Sequence, residues 1–263
     1  MRLILSLLTV AVLVAACVQT GGPRRPPDGD VRTGSDPSDA EKRASVRLEL
    51  AGGYFSRGQF STALDEIKLA LAAKPDMGAA YNMRGLVYAA MGEERLAEES
   101  FERAMSLNPR DADAMHNRAW FKCQRGQYDD ADRLFEQAIA TPQYRDLARS
   151  LMAQGICYAR AGRMLPAEQK LLRAYEVDPT NPTTAYNLAD VLYRRSELER
   201  ARFYIRRVND NEELSNAQTL WLAARIENKA GNRNAVEVFG RQLRARFPQS
   251  PQAQAYDSGR FND

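Results

Sequence analysis

Residues 78–111 read GAAYNMRGLVYAAMGEERLAEESFERAMSLNPRD. Within this stretch Gly85, Tyr88, Gly92, Ala97, Phe101, Ala104 and Pro109 fall at spacings that recur along the chain about every 34 residues. Two runs of helical period joined at a glycine describe a helical hairpin. The small Gly85 and Ala97 belong where two helices cross and their backbones approach, and Tyr88 and Phe101 fill the space between hairpins. Gly92 supplies the positive φ that ends a first helix, and Pro109 stops the second. One hairpin alone leaves an apolar face uncovered, so such units stack, and stacks of this kind generally hold other proteins.

The same cadence sets out six units. The first, about 44–77, carries Leu50, Tyr54, Gly58, Ala63, Ile67 and Pro75, and the second is 78–111. The third, 112–147, has Ala119, Gly126, Tyr128, Ala131 and Phe135, with two extra residues around Thr141-Pro142. The fourth, 148–181, has Gly155, Tyr158, Gly162, Ala167, Leu171 and Pro179. The fifth, 182–215, is weaker, with Ser196 in place of the turn glycine, and the last, 216–250, keeps Leu222, Ala223, Gly231, Ala235 and Phe239. This pattern resembles the tetratricopeptide repeat. The resemblance implies an all-α fold, a right-handed superhelix (α-solenoid) of about six repeats built from twelve or thirteen helices.

The chain before the repeats reads as an address. Met1-Arg2 is a basic start, and Leu3 to Ala16 is an apolar run too short to span a bilayer but suited to a signal peptide over 1–16. Val14-Ala15-Ala16-Cys17 resembles a bacterial lipobox, with valine at the usual leucine position; this implies lipidation of Cys17, and Val18 after it implies outer-membrane sorting. An ordinary signal peptide with an incidental cysteine is the alternative. Residues 17–37 hold the lipidated cysteine and a Gly-, Pro- and Arg-rich tether with little apolar content. A coil of that length reaches about 25 Å. Ser38-Asp39-Ala40-Glu41 then matches a capping box, opening a repeat domain over 38–255, with 256–263 as a tail.

Apart from Cys17 the chain has two cysteines, Cys123 and Cys157, about one repeat apart. Cognate positions of adjacent units are neighbours, so a disulfide between the third and fourth units is one reading; two buried free thiols facing different ways is the other.

Composition narrows the function. With 37 basic and 34 acidic residues, well mixed, the chain makes no case for nucleic acid. The single histidine, His116, excludes paired-histidine metal motifs, and none of the nucleophile-elbow, P-loop or dinucleotide glycine patterns is present. The expectation is a binding protein without catalytic residues, cofactor, metal or small-molecule substrate.

In this repeat the first helix of each hairpin lines the concave surface at its second, fifth, ninth and twelfth positions. Counting along the units gives Leu48 and Phe55, then Asn82 and Leu86, then His116, Trp120 and Cys123. The fourth unit gives Met152 and Ile156, and the fifth Tyr186, Asp190 and Tyr193. Packing between neighbouring first helices accounts for each of them equally well, and His116 suits an ordinary hydrogen bond better than a metal. Trp120 and Tyr186 stand out as large amphipathic rings in a groove. Asn82, Asn117 and Asn187 lie at or beside the positions of a two-carboxylate clamp, but the lysines and arginines of such a clamp are not arrayed with them.

The order of lipobox, tether and six repeats resembles the type IV pilus biogenesis/stability lipoprotein, the pilot protein of the pilus secretin. The stretch that carries the resemblance best is C-terminal: Leu220-Trp221-Leu222, Arg225-Ile226, Gly231-Asn232-Arg233, Leu243 and Phe247-Pro248-Gln249-Ser250. The resemblance implies binding of the secretin subunit, its delivery to the outer membrane and its multimerisation. It also implies a contact surface on the first repeats, here Leu48, Tyr54 and Phe55. A generic periplasmic repeat adaptor in envelope assembly or peptidoglycan-enzyme scaffolding is the alternative.

Overall fold

The computed structural model describes residues 38–261, so the expected signal peptide, Cys17 and the tether lie outside the described residues. The described residues form thirteen α-helices and no strand. The first pair is α1 (Asp39–Ser56) and α2 (Phe60–Ala73), followed by α3 (Gly78–Met91) and α4 (Glu94–Leu107). The third pair is α5 (Ala112–Gln124) and α6 (Tyr128–Ile139), and the fourth α7 (Leu147–Arg160) and α8 (Met164–Val177). Then come α9 (Pro182–Arg194) and α10 (Leu198–Asn209), α11 (Ala217–Lys229) and α12 (Arg233–Arg246), and a last short α13 (Pro251–Asp257).

Local chemistry explains where the helices begin and end. Asp111 caps α5 by accepting from the Ala114 amide at 3.0 Å, and Asn181 accepts from Thr183 and Thr184 ahead of α9, where Pro182 needs no amide partner. Asn216 and Thr219 form a reciprocal capping box on α11. Gly92 ends α3 at φ +79°. Ser196, which replaces the turn glycine of the fifth unit, holds the same left-handed conformation at φ +64°, and Lys229 Nζ donates to its hydroxyl at 3.0 Å.

Two layers result. Each first helix packs its backbone against the first helix of the next unit, from α1 on α3 to α9 on α11, whereas the second helices stand farther apart and reach one another through long side chains, as Lys170 on α8 does to Glu136 on α6 and Tyr175 on α8 to Tyr204 on α10. The closer-set layer is the inner, concave one, and the splayed second helices form the outer face. Ala63, Ala97, Ala131, Ala167 and Ala201 are fully buried where the two helices of a hairpin cross. Across from Ala97 the fully buried Phe101 lies so close to Gly85 that a Cβ there would come within 2.6 Å of its ring. Burying such a ring contributes about 1.5–3 kcal/mol.

The two extra residues of the third unit lie in the loop after α6, where Gln143 takes φ +59° and Tyr144 turns inward toward Ala112, Met115 and Ala138. Cys123 on α5 and Cys157 on α7 are paired in the structure, with Cα atoms 5.8 Å apart. Residues 256–261, set apart as a tail by the sequence reading, pack onto the last hairpin. Phe261 stacks on Trp221 at 5.1 Å, Arg225 Nε donates to the Phe261 carbonyl at 3.0 Å, and the Tyr256 ring occupies the space left by Gly240.

Candidate protein-binding groove

The inner layer presents a polar line and an apolar line. The polar line crosses three units: Asn117 Nδ2 donates to Asn82 Oδ1 at 3.2 Å, and Arg149 Nη2 donates to Asn117 Oδ1 at 3.0 Å. Arg149 also lies 3.7 Å from Asp146 and 4.0 Å from Asp113. Of this line the sequence reading held Asn82 and Asn117. Arg149 escaped it, although its place at the second position of the fourth unit was there to be counted.

The apolar line holds Leu86, Trp120, Met152, Ile156 and Tyr186, each partly covered and partly exposed. Leu86 leans on the Phe101–Phe121 cluster, Trp120 on Ala119 and Phe135, and Met152, Ile156 and Tyr186 on the core around Leu188 and Leu192. The Arg160 guanidinium stands 4.9 Å from the centre of the Trp120 ring, a cation–π contact between adjacent units. Leu48 is half-buried beside Ala44 and Ala80, and Tyr54 and Phe55 beside Ala51 and Ile67, with the Phe55 and Phe60 rings 5.9 Å apart.

Three expected groove residues are not on the open surface. His116 is buried: its Nδ1 is hydrogen-bonded to Ser150 Oγ at 2.8 Å, and its ring meets the edge of Phe135 at 5.7 Å. Burial, with Arg149 nearby, pushes the imidazole down to about 3, so it is neutral. Tyr193 is buried as well, because α11 brings Arg225 and Lys229 over its ring, each at 4.9 Å. Cys123, also counted among the groove positions, is buried in its pairing with Cys157.

At the C-terminal end of the inner layer a cavity of about 280 Å³ is bordered by Tyr186, Asn187, Val208, Leu214 and Thr219. Burial and the Asp190 carboxylate raise the Tyr186 phenol above its ordinary value, so its hydroxyl remains a neutral donor. Charges between units are largely compensated. Glu98 on α4 meets Arg118 and Lys122 on α5, Arg163 reaches Asp129 at 2.7 Å, and Arg202 on α10 reaches Glu227 on α11 at 2.5 Å.

Known proteins share this arrangement. The tetratricopeptide repeat family matches residues 78–111, 100–133 and 123–182. The type IV pilus assembly protein PilF of Pseudomonas aeruginosa is 24% identical over 249 residues, 95% of this chain and 95% of that protein. A crystal structure of PilW, described as a widely conserved type IV pilus biogenesis factor, superposes with a TM-score of 0.75 at 28% identity, covering 81% of this chain and 97% of that one. A solved structure of Pseudomonas aeruginosa PilF gives a TM-score of 0.72 at 22% identity, covering 84% of this chain and all of that one. This chain is therefore a tetratricopeptide-repeat protein, homologous over most of its length to the type IV pilus biogenesis proteins PilF and PilW.

Proposed function

We propose that this chain is an outer-membrane lipoprotein that binds the type IV pilus secretin and promotes its outer-membrane localisation and multimerisation. The observation that carries this reading is the likeness to PilF along 95% of both chains. In this account half-exposed apolar side chains of the inner layer, those of α1 among them, capture a secretin segment. Acyl chains on Cys17 hold the complex at the membrane, since lipid anchoring needs no spanning helix. No helix among the described residues is long and apolar enough to cross a membrane. In line with the family resemblance, we assign the capture surface to the first repeats, at Leu48, Tyr54 and Phe55.

Replacing Leu48 and Phe55 together by glutamate tests the assignment. Both side chains are half-buried at the open face of α1, so the variant keeps its helical content by circular dichroism. The expected result is loss of heat-stable secretin multimers and of surface pili. Unchanged multimers and pili with a folded variant would show the groove assignment to be wrong.

A further inference from the structure

On the outer face of α10, Phe203 stands where the first four units put a polar side chain. It lies two residues after the anchor alanine Ala201; the cognate residues after Ala63, Ala97, Ala131 and Ala167 are Asp65, Glu99, Arg133 and Gln169, and in the last unit, where Val236 takes the anchor position, the cognate is Val238. All six positions are exposed, and Phe203 is 53% exposed. The hairpin's own packing does not call for an aromatic ring there: the α10 backbone packs against α9 and α11, α8 is reached through Arg200 and Tyr204, and Phe203 stays more than half exposed.

The ring is nonetheless held in a defined setting. Phe203 meets Tyr204 edge-on at 5.1 Å, and Tyr204 meets Tyr175 of α8 in the same way at 5.0 Å. Arg207 lies over Phe203 at 5.5 Å and over Tyr175 at 6.0 Å. The other arginines of the helix are engaged, Arg200 with Glu168 at 2.7 Å and Arg202 with Glu199 and Glu227 at 2.5 Å. Among the described residues Arg206 and Arg207 form no ion pair. Glu199, Arg202, Phe203, Arg206, Arg207 and Asp210 border one shallow depression of about 380 Å³. Their spacing is that of a single helix stripe, three turns or about 17 Å long.

We propose that this stripe is a docking surface for an acidic helix of a partner protein, one that carries an apolar side chain among its carboxylates. Charge order selects this occupant. The cationic and aromatic centre matches carboxylates around an apolar residue, and the fork of each unpaired arginine fits a carboxylate in two-pronged fashion. Glu199 and Asp210 close the stripe at its two ends, where a uniformly anionic lipid surface would be repelled and basic ends of a partner helix would be attracted. Arginine is also among the residues enriched where protein interfaces concentrate their binding energy. The stripe faces outward from the second-helix layer, so it is independent of the inner groove and leaves that groove free for a second partner.

Photo-crosslinking of the full chain in cells tests this. A benzophenone amino acid replaces Phe203, with the same replacement at Gln169 and at Glu99 as exposed cognate controls. The expected result is an adduct at 203 about tenfold above either control. It joins a peptide of another protein with at least two Asp or Glu within a helical turn of the linked residue. R206E/R207E lowers that adduct about tenfold, while L48E/F55E leaves it unchanged. F203Q, which borrows the residue of the fourth unit, keeps the melting midpoint of the parent and marks any loss of binding as local. Adducts no stronger than the controls overturn the proposal. So do adducts confined to lipid or to a second copy of the chain, and an adduct that survives R206E/R207E.

Discussion

His116 Nδ1 and Ser150 Oγ lie 2.8 Å apart, 34 residues distant in sequence, so the bond joins two neighbouring units. Ser150 is fully buried and also meets the Tyr144 hydroxyl at 3.0 Å. Tyr144 comes from the loop that the extra residues of the third unit lengthen, and this loop thereby closes over the histidine. The bond holds α5 to α7 in the middle of the stack, and it needs a neutral imidazole among Phe135, Ser150 and the cationic Arg149.

The fold therefore destabilises as pH drops below neutrality. In the unfolded chain His116 titrates near 6.5, and in the fold burial and Arg149 lower it to about 3. Above 6.5 both states are neutral and the full contribution is present. Below 6.5 the unfolded state takes up a proton that the folded state refuses, so stability is lost as pH falls. Between pH 6.5 and 5, before most carboxylates protonate, the loss is about 1.6 kcal/mol. Urea denaturation at the two pH values measures it. The His116→Gln variant, which has nothing to titrate there, should show a much shallower difference.

Two glycines of the first helices separate close approach from mere absence of a side chain. A Cβ at Gly85 would lie 2.6 Å from the buried Phe101 ring, which has no free space to yield. Gly85→Ala is expected to cost about 1–3 kcal/mol. A Cβ at Gly52 meets only the Met83 methyl at 3.8 Å, an ordinary contact with the end of a flexible chain. Gly52→Ala is expected to stabilise α1 by up to about 1 kcal/mol, through helix propensity alone. Thermal melts that move in opposite directions bear this out; equal shifts would mean that the crossing at Gly85 is looser than it stands.

The repeat made most of the architecture legible, because each anchor type answers a packing demand that recurs. Gly85 under Phe101 and Gly92 at its turn are such answers, and Ser196 shows that the turn outlasts the loss of its glycine. What periodicity cannot report is how far the next unit closes over a given position. His116 and Tyr193 share the count of true groove residues, yet Ser150 and Phe135 enclose one while Arg225 and Lys229 roof the other. Arg149 was missed for the converse reason: a charged residue at a helix start reads as solvated until its neighbour's amide is found beside it. Phe203 was visible as a break from the polar residues that follow the anchor alanines of the first four units, a signal that appears only when units are compared position by position.

The pairing of Cys123 with Cys157 ties α5 to α7 at the same joint that His116 and Ser150 hold. A bridge closing a loop of 34 residues is worth roughly 3–4 kcal/mol in the chain-entropy model, acting mainly by restricting the unfolded chain. Both cysteines are almost wholly buried, so replacing them with serine also places hydroxyls in an apolar setting beside Ala119 and Phe135. Alanine is therefore the better probe. The Cys123→Ala/Cys157→Ala double variant should melt well below the parent, and reductant should lower the parent toward the variant without moving the variant. Intact-mass measurement before and after alkylation completes the test: two alkylation sites on the unreduced, denatured mature chain would mean the thiols are free. In that case the third and fourth units are held without a covalent tie, by packing on Phe135 and by bonds such as His116–Ser150, Tyr158–Asp132 and Arg163–Asp129.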